Sequence, residues 1–428
     1  MSIIKEGKNI IGVYKGDIPI LKIFKHNNLV YQHSSTGGTE TPYDITSTFN
    51  VTSTTSPTKV CNNTSYFAEM YVDGEQVDVA SGYTFNTIGE HTVNYKLSDK
   101  TTIGSYAFNY CSGLTEIVIQ DSVTTIGNAA FQYCSVLKSI TISNKLTSIS
   151  SNTFFKCSGL TSIDIPSSVT SIGDDAFQSC TSLSSITIPD SVTYIGNGVF
   201  SNTPFYNDLP NGEIYLGSCY YKYNGTMPSN TSITIKDGTK SICGNAFNNC
   251  SGLTSVTIPD SVINIGVSVF YSCSGLTYIN IPDSVISIGE YAFYKCSSLT
   301  SITLPQNLSS NISQNTFAGC TSLTEIVIPD SVPSISGGSV FSGCTSLQKV
   351  TIGSGVTSIG TSSFISFSIF TGCTNLREIT CLATTAPTLL TKSIQGIENN
   401  GGTLHIPQGS DYSTWKAILT SWTIQYKP

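Results

Sequence analysis

Residues 250–272 read Cys-Ser-Gly-Leu-Thr-Ser-Val-Thr-Ile-Pro-Asp-Ser-Val-Ile-Asn-Ile-Gly-Val-Ser-Val-Phe-Tyr-Ser, and close variants of this unit follow one another along most of the chain. The cysteine that opens the unit recurs at 23-residue intervals in two runs and then at slightly longer intervals, at Cys111, Cys134, Cys157, Cys180, Cys250, Cys273, Cys296, Cys320, Cys344 and Cys373. Self-similarity at a fixed period of about 20–50 residues is typical of a solenoid. A solenoid usually presents a long surface rather than catalysing a reaction.

Each unit contains the signals of one coil. The Leu-x-x-Ile-x-Ile segment alternates with period 2 in its second half, which predicts a strand. Pro-Asp-Ser-Val then turns the chain, because proline presets φ and cannot donate into a following ladder. An Ile-Gly pair and a short Ala-Phe turn lead back to the cysteine. Because no coil buries its apolar residues alone, we expect a mainly β solenoid of about eleven coils, about 50–60 Å long.

The cysteines are expected to be reduced and buried. Ten of the 14 cysteines lie at one phase of the repeat, so stacking places their side chains parallel and about 4.8 Å apart. Parallel Cβ vectors at that distance suit a disulfide poorly, and a ladder of thiols that pack as small hydrophobic groups is the better interpretation. The pairs Cys219 with Cys243 and Cys373 with Cys381 each include at least one cysteine off this phase, and they are the remaining candidates for a disulfide bridge.

Composition argues against two classes of partner. Charged residues make up 11% of the 428 residues, the net charge is −7, and Arg377 is the only arginine. Nucleic-acid-binding proteins need a basic footprint rich in arginine, so we expect no nucleic-acid partner. No apolar stretch approaches the length of a membrane span, and the start of the chain lacks the apolar segment of a secretory signal. We therefore expect neither membrane insertion nor signal-directed export.

Residues 1–31 form a unit of their own. Alternating apolar residues, separated by turn clusters at residues 15–17 and 26–28, predict an N-terminal β-meander. A unit of about thirty residues cannot bury a core alone, so we expect it to dock onto a partner or onto copies of itself. The candidate docking residues are Val13, Tyr14, Ile23, Phe24, Leu29, Val30 and Tyr31. Residues 32–42, rich in serine, threonine and glycine, predict a flexible linker.

The rest of the chain divides around the repeats. Residues 43–97 alternate again and contain an Asp73-Gly74 hairpin signal, which predicts a small immunoglobulin-like β-sandwich acting as a spacer. The solenoid is predicted over residues 98–402, and residues 403–428, with a short helix and a last strand, are predicted to be its C-terminal cap.

An aromatic insertion at residues 204–228 breaks the repeat. Insertions in repeat arrays map to loops on one face and often bind partners. The tyrosines of this insertion are therefore candidate partner-binding residues, at Tyr206, Tyr215, Tyr220, Tyr221 and Tyr223. The alternative is a hairpin that packs over the edge of the solenoid with its tyrosines half buried.

The outward residues of the predicted strands are a second candidate surface. Most are serine and threonine, which strands favour on a solvated face for reasons of propensity alone. The functional interpretation is a flat polar platform for a glycan or a protein. On that interpretation Tyr278 and Arg377 are the candidate contact residues, because tyrosine and arginine are enriched at binding hot spots.

The remaining polar residues show no pattern typical of catalysis or of a metal site. The histidines, His26, His33, His91 and His405, do not stand at metal-ligand spacing, and no nucleophile elbow, P-loop or dinucleotide fingerprint is present. The turn residues Asp190, Asp260, Asp283 and Asp330 could bind Ca²⁺ if they were stacked. However, only Asp260 and Asp283 fall in adjacent coils, so turn formation is the better interpretation. We expect no enzyme activity, no cofactor and no metal.

The coil Cys-Ser-Gly-Leu-Thr-Ser-Ile-x-Ile-Pro-x-Ser-Val-Thr-Ser-Ile-Gly-x-x-Ala-Phe of residues 157–177 resembles the BspA-type leucine-rich repeat. The resemblance covers roughly residues 98–428, and the aromatic insertion and the segment Gly-Thr-Leu-His-Ile-Pro at 402–407 are similar to features of that family. It implies a surface or secreted protein that binds host proteins or other cells and has no catalytic residues.

The segment Val13-Tyr-Lys-Gly-Asp17, followed by Lys22-Ile-Phe-Lys25 and Leu29-Val-Tyr31, resembles short β-repeats at the N-termini of virion proteins from phages of gut bacteria. This resemblance implies a virion structural protein of fibre or decoration type, released by lysis. Its residues 1–31 would contact other virion proteins, with homo-oligomerisation as one arrangement, and its solenoid would bind a host-surface protein or glycan. The alternatives are a cell-surface BspA-like adhesin that binds host proteins and a cytoplasmic interaction scaffold.

Overall fold

The computed structural model describes residues 43–360, 368–390 and 393–427, and it describes the backbone of residues 2–6, 9–15, 18–25 and 28–33. The chain divides into two compact units, Met1–Asp44 and Ile45–Pro428. The sequence also contains a smaller insertion in the repeat, from Ser363 to Ser368, and all of it except Ser368 lies outside the described residues.

The first unit is a four-stranded antiparallel sheet. Its strands are β1 Ser2–Glu6, β2 Asn9–Lys15, β3 Ile18–Lys25 and β4 Asn28–His33, and they are hydrogen-bonded in chain order. This order is the meander that the alternating pattern predicts. The fourth strand takes the first two residues of the predicted linker, and the remainder of the linker lies outside the described residues.

The second unit is built almost entirely from strands. Six strands precede the repeats: β5 Ile45–Val51, β6 Thr58–Lys59, β7 Phe67–Val72, β8 Glu75–Val77, β9 Gly82–Tyr83 and β10 Gly89–Leu97. The following strands run to the aromatic insertion: β11 Thr102–Ile103, β12 Leu114–Ile119, β13 Thr125–Ile126, β14 Ser139–Thr141, β15 Ser148–Ile149, β16 Ser162–Asp164, β17 Ser171–Ile172, β18 Ser185–Thr187 and β19 Tyr194–Ile195.

The insertion and the later repeats continue the same design. Their strands are β20 Gly212–Leu216, β21 Cys219–Asn224, β22 Thr231–Thr234, β23 Ser241–Ile242, β24 Leu253–Thr257, β25 Asn264–Ile265, β26 Tyr278–Asn280, β27 Ser287–Ile288, β28 Ser301–Thr303, β29 Glu325–Ile328, β30 Ser334–Ser336, β31 Lys349–Ile352, β32 Ser358–Gly360, β33 Glu378–Cys381, β34 Thr388–Leu389, β35 Gly402–Pro407 and β36 Trp422–Lys427. Two short α-helices, α1 Pro204–Asn207 and α2 Ser413–Ile418, and a 3₁₀ turn at Thr64–Tyr66 are also present.

Every regular coil has three sides, and each side bonds to the next coil. First strands pair in parallel, as β16 does with β18, and short second strands pair in parallel, as β15 does with β17. On the third side, the backbone N–H of Phe131 donates to the carbonyl of Thr153 at 2.9 Å. The solenoid has about 14 turns, which is more than the eleven coils predicted. The prediction was based on the repeated cysteine, so turns that lack this cysteine were not included.

The glycine that follows most second strands allows coils to approach closely. A Cβ built at Gly266 would lie 2.6 Å from the backbone nitrogen of Gly244 in the preceding coil. Real side chains do not tolerate such a distance, so the Ile-Gly pair of the repeat follows from the spacing between coils.

The core contains a phenylalanine ladder, with one ring in most coils. Its members are Phe108, Phe131, Phe154, Phe177, Phe200, Phe247, Phe270, Phe293, Phe317, Phe341 and Phe370, all fully buried. Neighbouring rings within each run have centroids 5.2 to 5.8 Å apart and planes within 16° of parallel. Stacking of this kind adds to the hydrophobic stabilisation at every step.

The predicted ladder of buried thiols is confirmed. All 14 cysteines are free and buried, so the two candidate pairs are not bridged. Most thiols of the ladder donate to the carbonyl of a ladder phenylalanine in the preceding coil, as Cys157 does to Phe131 and Cys296 does to Phe270, both at 3.1 Å. Burial raises the pKa of Cys134 and of Cys180 to about 12, so these thiols are neutral at physiological pH.

The predicted immunoglobulin-like sandwich is not confirmed, because the strands of this segment complete the solenoid instead. Strand β5 pairs with β10 on one side and, antiparallel, with β12 of the first coil on the other. The whole sheet has the order β14-β12-β5-β10-β7-β8. The rings of Phe67 and Tyr95 lie 5.5 and 5.4 Å from that of Phe108. Residues 45–97 are therefore an N-terminal cap that shares its core with the first coils.

The C-terminal cap closes the other end. The predicted helix and last strand are α2 and β36, and β36 pairs in parallel with β35. Two buried indoles fix the cap, because Trp415 Nε1 donates to the carbonyl of Pro387 at 3.1 Å and Trp422 Nε1 to that of Ile397 at 3.0 Å.

Turn aspartates bond one coil to the next. Asp121, Asp283 and Asp330 each accept a hydrogen bond from a backbone N–H of the following coil at 2.6 to 2.8 Å. Asp260 occupies the same place but accepts no such bond in the described part of the chain. The following coil there carries Asp283, and two carboxylates one coil apart repel each other.

We expect Asp283→Ala to lower the free energy of unfolding by about 1 kcal/mol, because it leaves the N–H of Gln306 without its partner. Chemical denaturation would measure the change. Asp260→Ala is the matched control, and it should be neutral or slightly stabilising because it removes only repulsion. Equal losses in the two variants would contradict the inter-coil role of Asp283.

Candidate binding surface

Two outer faces of the solenoid are built from regularly repeated positions. The first strands form what we call the strand face, and the turns that carry the ladder phenylalanines form what we call the turn face. On the strand face, small hydroxyl residues stand in two rows. Examples are Ser162, Ser185, Ser232, Ser255 and Ser301 in one row and Thr141, Thr187, Thr234, Thr257 and Thr303 in the other. The hydroxyls of Ser232 and Ser255 hydrogen-bond to each other between coils.

The strand face places Tyr278 and Arg377 apart. Tyr278 is 49% exposed, and it stands among serines of the first row. Arg377 is exposed too, and its Nη1 donates to the carbonyls of Thr374 and Leu376 at 2.9 and 3.0 Å. Four coils separate the two residues, which is about 19 Å along the stack, so they do not form one contact site.

The aromatic insertion builds a coil rather than a free loop. Strand β21 forms a hairpin with β20 and also pairs in parallel with β23, Cys219 opposite Ser241. It therefore takes a place in the row of second strands. The helix α1 lies before this hairpin, with the N–H of Phe205 donating to the carbonyl of Leu183 at 2.9 Å.

Two of the candidate tyrosines belong to the core, which corrects their assignment as contact residues. Tyr220 is fully buried, and its ring stacks on Phe247 with centroids 4.7 Å apart. Tyr221 is 8% exposed and packs its edge against Phe200 at 6.0 Å. These rings fill the coil between Phe200 and Phe247, where the ladder lacks a phenylalanine. Those two phenylalanines are 47 residues apart, which is about two periods. This spacing could have predicted a coil without a ladder phenylalanine between them.

The other tyrosines of the insertion are half buried, and two have polar partners within it. The hydroxyl of Tyr206 accepts from Lys222 Nζ at 2.8 Å. The hydroxyl of Tyr215 donates to Glu213 Oε2 at 3.0 Å and accepts from the N–H of Lys236 at 3.1 Å, and burial raises the pKa of Tyr215 to about 12. Tyr223 packs against the core without being fully covered. These contacts give the tyrosines a structural role in holding the hairpin.

A charged cluster near the C-terminus was not predicted from the sequence. Glu378 Oε1 lies 3.0 Å from Lys349 Nζ and 3.7 Å from His405 Nε2. The hydrogen bond from Lys349 lowers the pKa of Glu378, and burial lowers that of His405. Within the described residues, Thr380 Oγ1 and His405 Nδ1 are buried without a hydrogen-bond partner. Lys349 and Glu378 occupy the same phase in adjacent coils, and this shared phase could have predicted that they pair.

The turn face carries exposed aromatic residues that were also not predicted. Tyr106 and Tyr110 are 50% and 53% exposed. The ring of Tyr110 stacks on that of Tyr133, with centroids 4.3 Å apart and planes 5° from parallel. Lys59 Nζ lies 5.8 Å from the centroid of Tyr110, and Lys156 Nζ lies 5.0 Å from that of Tyr133. We call these five residues the tyrosine patch.

The candidate docking residues of the first unit lie on paired strands. Val13 is opposite Ile20, Ile23 is opposite Tyr31, and Phe24 is opposite Leu29. Their side chains lie outside the described part of the structure. No group of three or more potential metal ligands comes together among the described residues. In the same residues, no helix has the length and hydropathy needed to traverse a bilayer.

Comparison with known proteins gives a family match. The model of the BspA type leucine rich repeat region matches in six copies, over residues 101–209, 218–338 and 310–381. Among solved structures, a leucine rich cell surface protein from Faecalibacterium prausnitzii is 29% identical, with 75% of this chain and 79% of that chain covered and a TM-score of 0.32. The T. pallidum leucine rich repeat protein is 28% identical, with 49% and 90% covered and a TM-score of 0.38. No curated protein matches significantly.

Proposed function

Because this chain belongs to the BspA-type leucine-rich repeat family, whose members are typically surface-exposed, we propose that it is a non-enzymatic adhesion protein that displays its solenoid to a host-surface protein or glycan. The observation that supports this most is the continuous solenoid itself. About 14 turns hold polar rows on the strand face and aromatic residues on the turn face. Such rigid, extended surfaces are what repeat proteins use for binding.

We further propose that the solenoid is carried on a phage particle, with the N-terminal sheet β1–β4 as the docking unit. The four short strands divide from the rest of the chain as a separate unit. A sheet of this size is too small to bury a core of its own, so a partner or further copies would supply the missing cover. The resemblance of residues 13–31 to β-repeats of virion proteins supports the same proposal.

A cell-surface adhesin is the second candidate. One similar solved structure bears the description of a leucine rich cell surface protein, which favours it. Quantitative mass spectrometry on purified virus-like particles, material shaved from intact cells, and cytosol would distinguish the candidates. Enrichment in particles supports the virion protein, and enrichment in the shaved fraction supports the adhesin. Enrichment in the cytosol would contradict both.

Deletion of residues 1–33 should abolish incorporation into particles, because the docking strands are lost while the solenoid and its caps remain. Particles assembled with the deleted chain, then purified and quantified by immunoblotting, would measure this. The full chain carrying Tyr278→Ala is the control, since this exposed residue lies outside the docking unit, and it should be incorporated normally. Undiminished incorporation of the deleted chain would show that docking occurs elsewhere.

A further inference from the structure

Four of the five residues of the tyrosine patch occupy backbone positions that side chains avoid. Tyr106, Tyr110, Tyr133 and Lys156 have φ of 61°, 61°, 62° and 58°. A Cβ at such an angle crowds the following carbonyl, so glycine or asparagine is the usual choice. A bulky ring held there is strained, although the repeat itself imposes a positive φ at this phase in other coils too, as at Asn249 and Ser272.

The same chain shows that the fold does not need these side chains. Later coils carry Gly319, Gly343 and Gly372 at the phase of Tyr110, with φ of 77°, 73° and 80°. Their neighbouring ladder rings stack as closely as those of the first coils. Tyrosine at this phase therefore strains the backbone and exposes aromatic surface, and it does not improve the packing of the core.

The lysines of the patch are not used in ion pairs. Lys59 Nζ donates to Asn62 Oδ1 at 2.7 Å, and neither Lys59 nor Lys156 has a carboxylate within 4.0 Å among the described residues. Elsewhere Lys96 and Lys349 do pair with glutamates. In a chain of net charge −7, two unpaired ammonium groups beside exposed rings form a local site for a negative group.

A second group, with stacked tyrosines and one lysine, lies further along the turn face. The rings of Tyr271 and Tyr294 stack at 4.8 Å, and Lys295 Nζ lies 5.2 Å from the centroid of Tyr294. Tyr291 and Lys295 have φ of 56° and 57°, whereas the stacked rings Tyr271 and Tyr294 stand one residue earlier in the repeat than Tyr110 and Tyr133 and are not at positive φ. Six coils separate Lys295 from Lys156, which is about 29 Å along the stack.

We propose that the turn face binds an acidic glycan chain through the tyrosine patch and its repeat at residues 271–295. Sugar rings pack their C–H faces on the open ring of Tyr106 and on the tyrosine edges, while carboxylate or sulfate groups pair with Lys59 and Lys156. A protein partner fits less well, because a standard interface needs about 800 Å² per partner around an apolar centre, and this patch is small and cationic. The inference rests on the proposed adhesive function and names its ligand class.

The decisive variant replaces the strained rings by glycine. In Tyr110→Gly/Tyr133→Gly, the binding surface is removed while the backbone strain is relieved. We expect affinity for an acidic glycan to fall about tenfold or more, with a thermal midpoint close to that of the native protein. The matched control is Asn202→Gly/Asn249→Gly at the same phase, where φ is 61° and 60°. It should bind within about twofold of the native protein, since the residues it removes lie outside the patch.

The probes are immobilised heparin, polysialic acid and neutral dextran, measured by biolayer interferometry at several salt concentrations. Binding to heparin alone assigns a sulfated glycan, and binding to polysialic acid alone assigns a sialylated one. Either outcome supports the proposal. Lys156→Gln should reduce the salt dependence, and chains long enough to span both groups should bind more tightly than short ones.

Several outcomes would overturn the inference. These are equal binding by the double glycine variant, equal binding to dextran, or no binding of the native protein to either acidic glycan. Adhesion of whole particles or cells, measured in parallel, distinguishes a failure of the proposed glycan site from a failure of the proposed adhesive function. Adhesion that persists when the glycine variant is used would retain the adhesive function and discard the site.

Discussion

Above about pH 9, the free energy of unfolding should fall by about 1.4 kcal/mol per pH unit for each thiol of the ladder. Burial raises the pKa of Cys134 and Cys180 to about 12 in the folded protein, while an exposed thiol ionises near pH 8.5–9. The stabilisation from holding the thiol neutral is fully present below about pH 9 and is lost as the pH rises toward 12. For ten such thiols, the summed loss of stability would exceed a typical folding free energy of about 5–15 kcal/mol within about one to two pH units.

Guanidinium unfolding under reducing conditions, followed from pH 7 to pH 10.5, would measure this fall. Cys134→Ala should be less stable at pH 7, because it leaves a small cavity, but its slope above pH 9 should be shallower by about 1.4 kcal/mol per pH unit. An exposed substitution such as Thr257→Ala should leave the slope unchanged. If Cys134→Ala kept the native slope, its thiol would not be protected from ionisation by folding.

Phe270→Ala should destabilise the solenoid by about 3–5 kcal/mol. The ring is fully buried, and its centroid lies 5.4 Å from that of Phe247 and 5.2 Å from that of Phe293. Its removal therefore leaves a cavity and interrupts two stacking contacts. Calorimetry or denaturant unfolding would measure the loss.

The control for the ladder should come from the same coil. Thr257 lies on the exposed strand face, and Thr257→Ala should change stability by no more than about 0.5 kcal/mol. Phe270→Leu should recover part of the loss, because the leucine fills much of the cavity. Comparable effects of Phe270→Ala and Thr257→Ala would show that the ladder does not carry the stability of the stack.

The features that repeat along the chain were predictable from the sequence. Cysteine, leucine and isoleucine return at fixed phases, so the coil, its first strand and the thiol ladder could be inferred from one unit, whereas the short second strand was not predicted. The position of Asp283 in the turn was predictable too. Its hydrogen bond to the next coil was not, because that bond depends on the absence of a second aspartate at Gln306.

The features that depend on long-range pairing were not predictable. Alternation predicted β5 and β10, but it could not show that β5 would pair with β12 rather than complete a sandwich. In the insertion the periodic phase is lost, so Tyr220 and Tyr221 resembled exposed contact residues although they occupy the core. The longer coils around Glu378 hid its pairing with His405 in the same way.

The tyrosine patch was missed for a different reason. The positive φ of Tyr110 and Tyr133 cannot be predicted from these two residues alone, because tyrosine is not a residue type that usually adopts this conformation. The glycines at Gly319, Gly343 and Gly372 stand at the same phase, and comparison of that column across coils would have revealed the conformation. The candidate docking residues of the first unit stay a prediction.

The bonds that join successive coils run along the axis of the stack, which determines how the solenoid responds to a pulling force. When the two ends are drawn apart, as for a tethered adhesion protein in flowing liquid, the load falls on one interface between coils at a time. Each 23-residue coil that detaches can release roughly 80 Å of chain, so the protein lengthens in steps while the remaining coils stay intact. A tether of this kind dissipates a sudden pull that would otherwise be transmitted to the bond between the protein and its target.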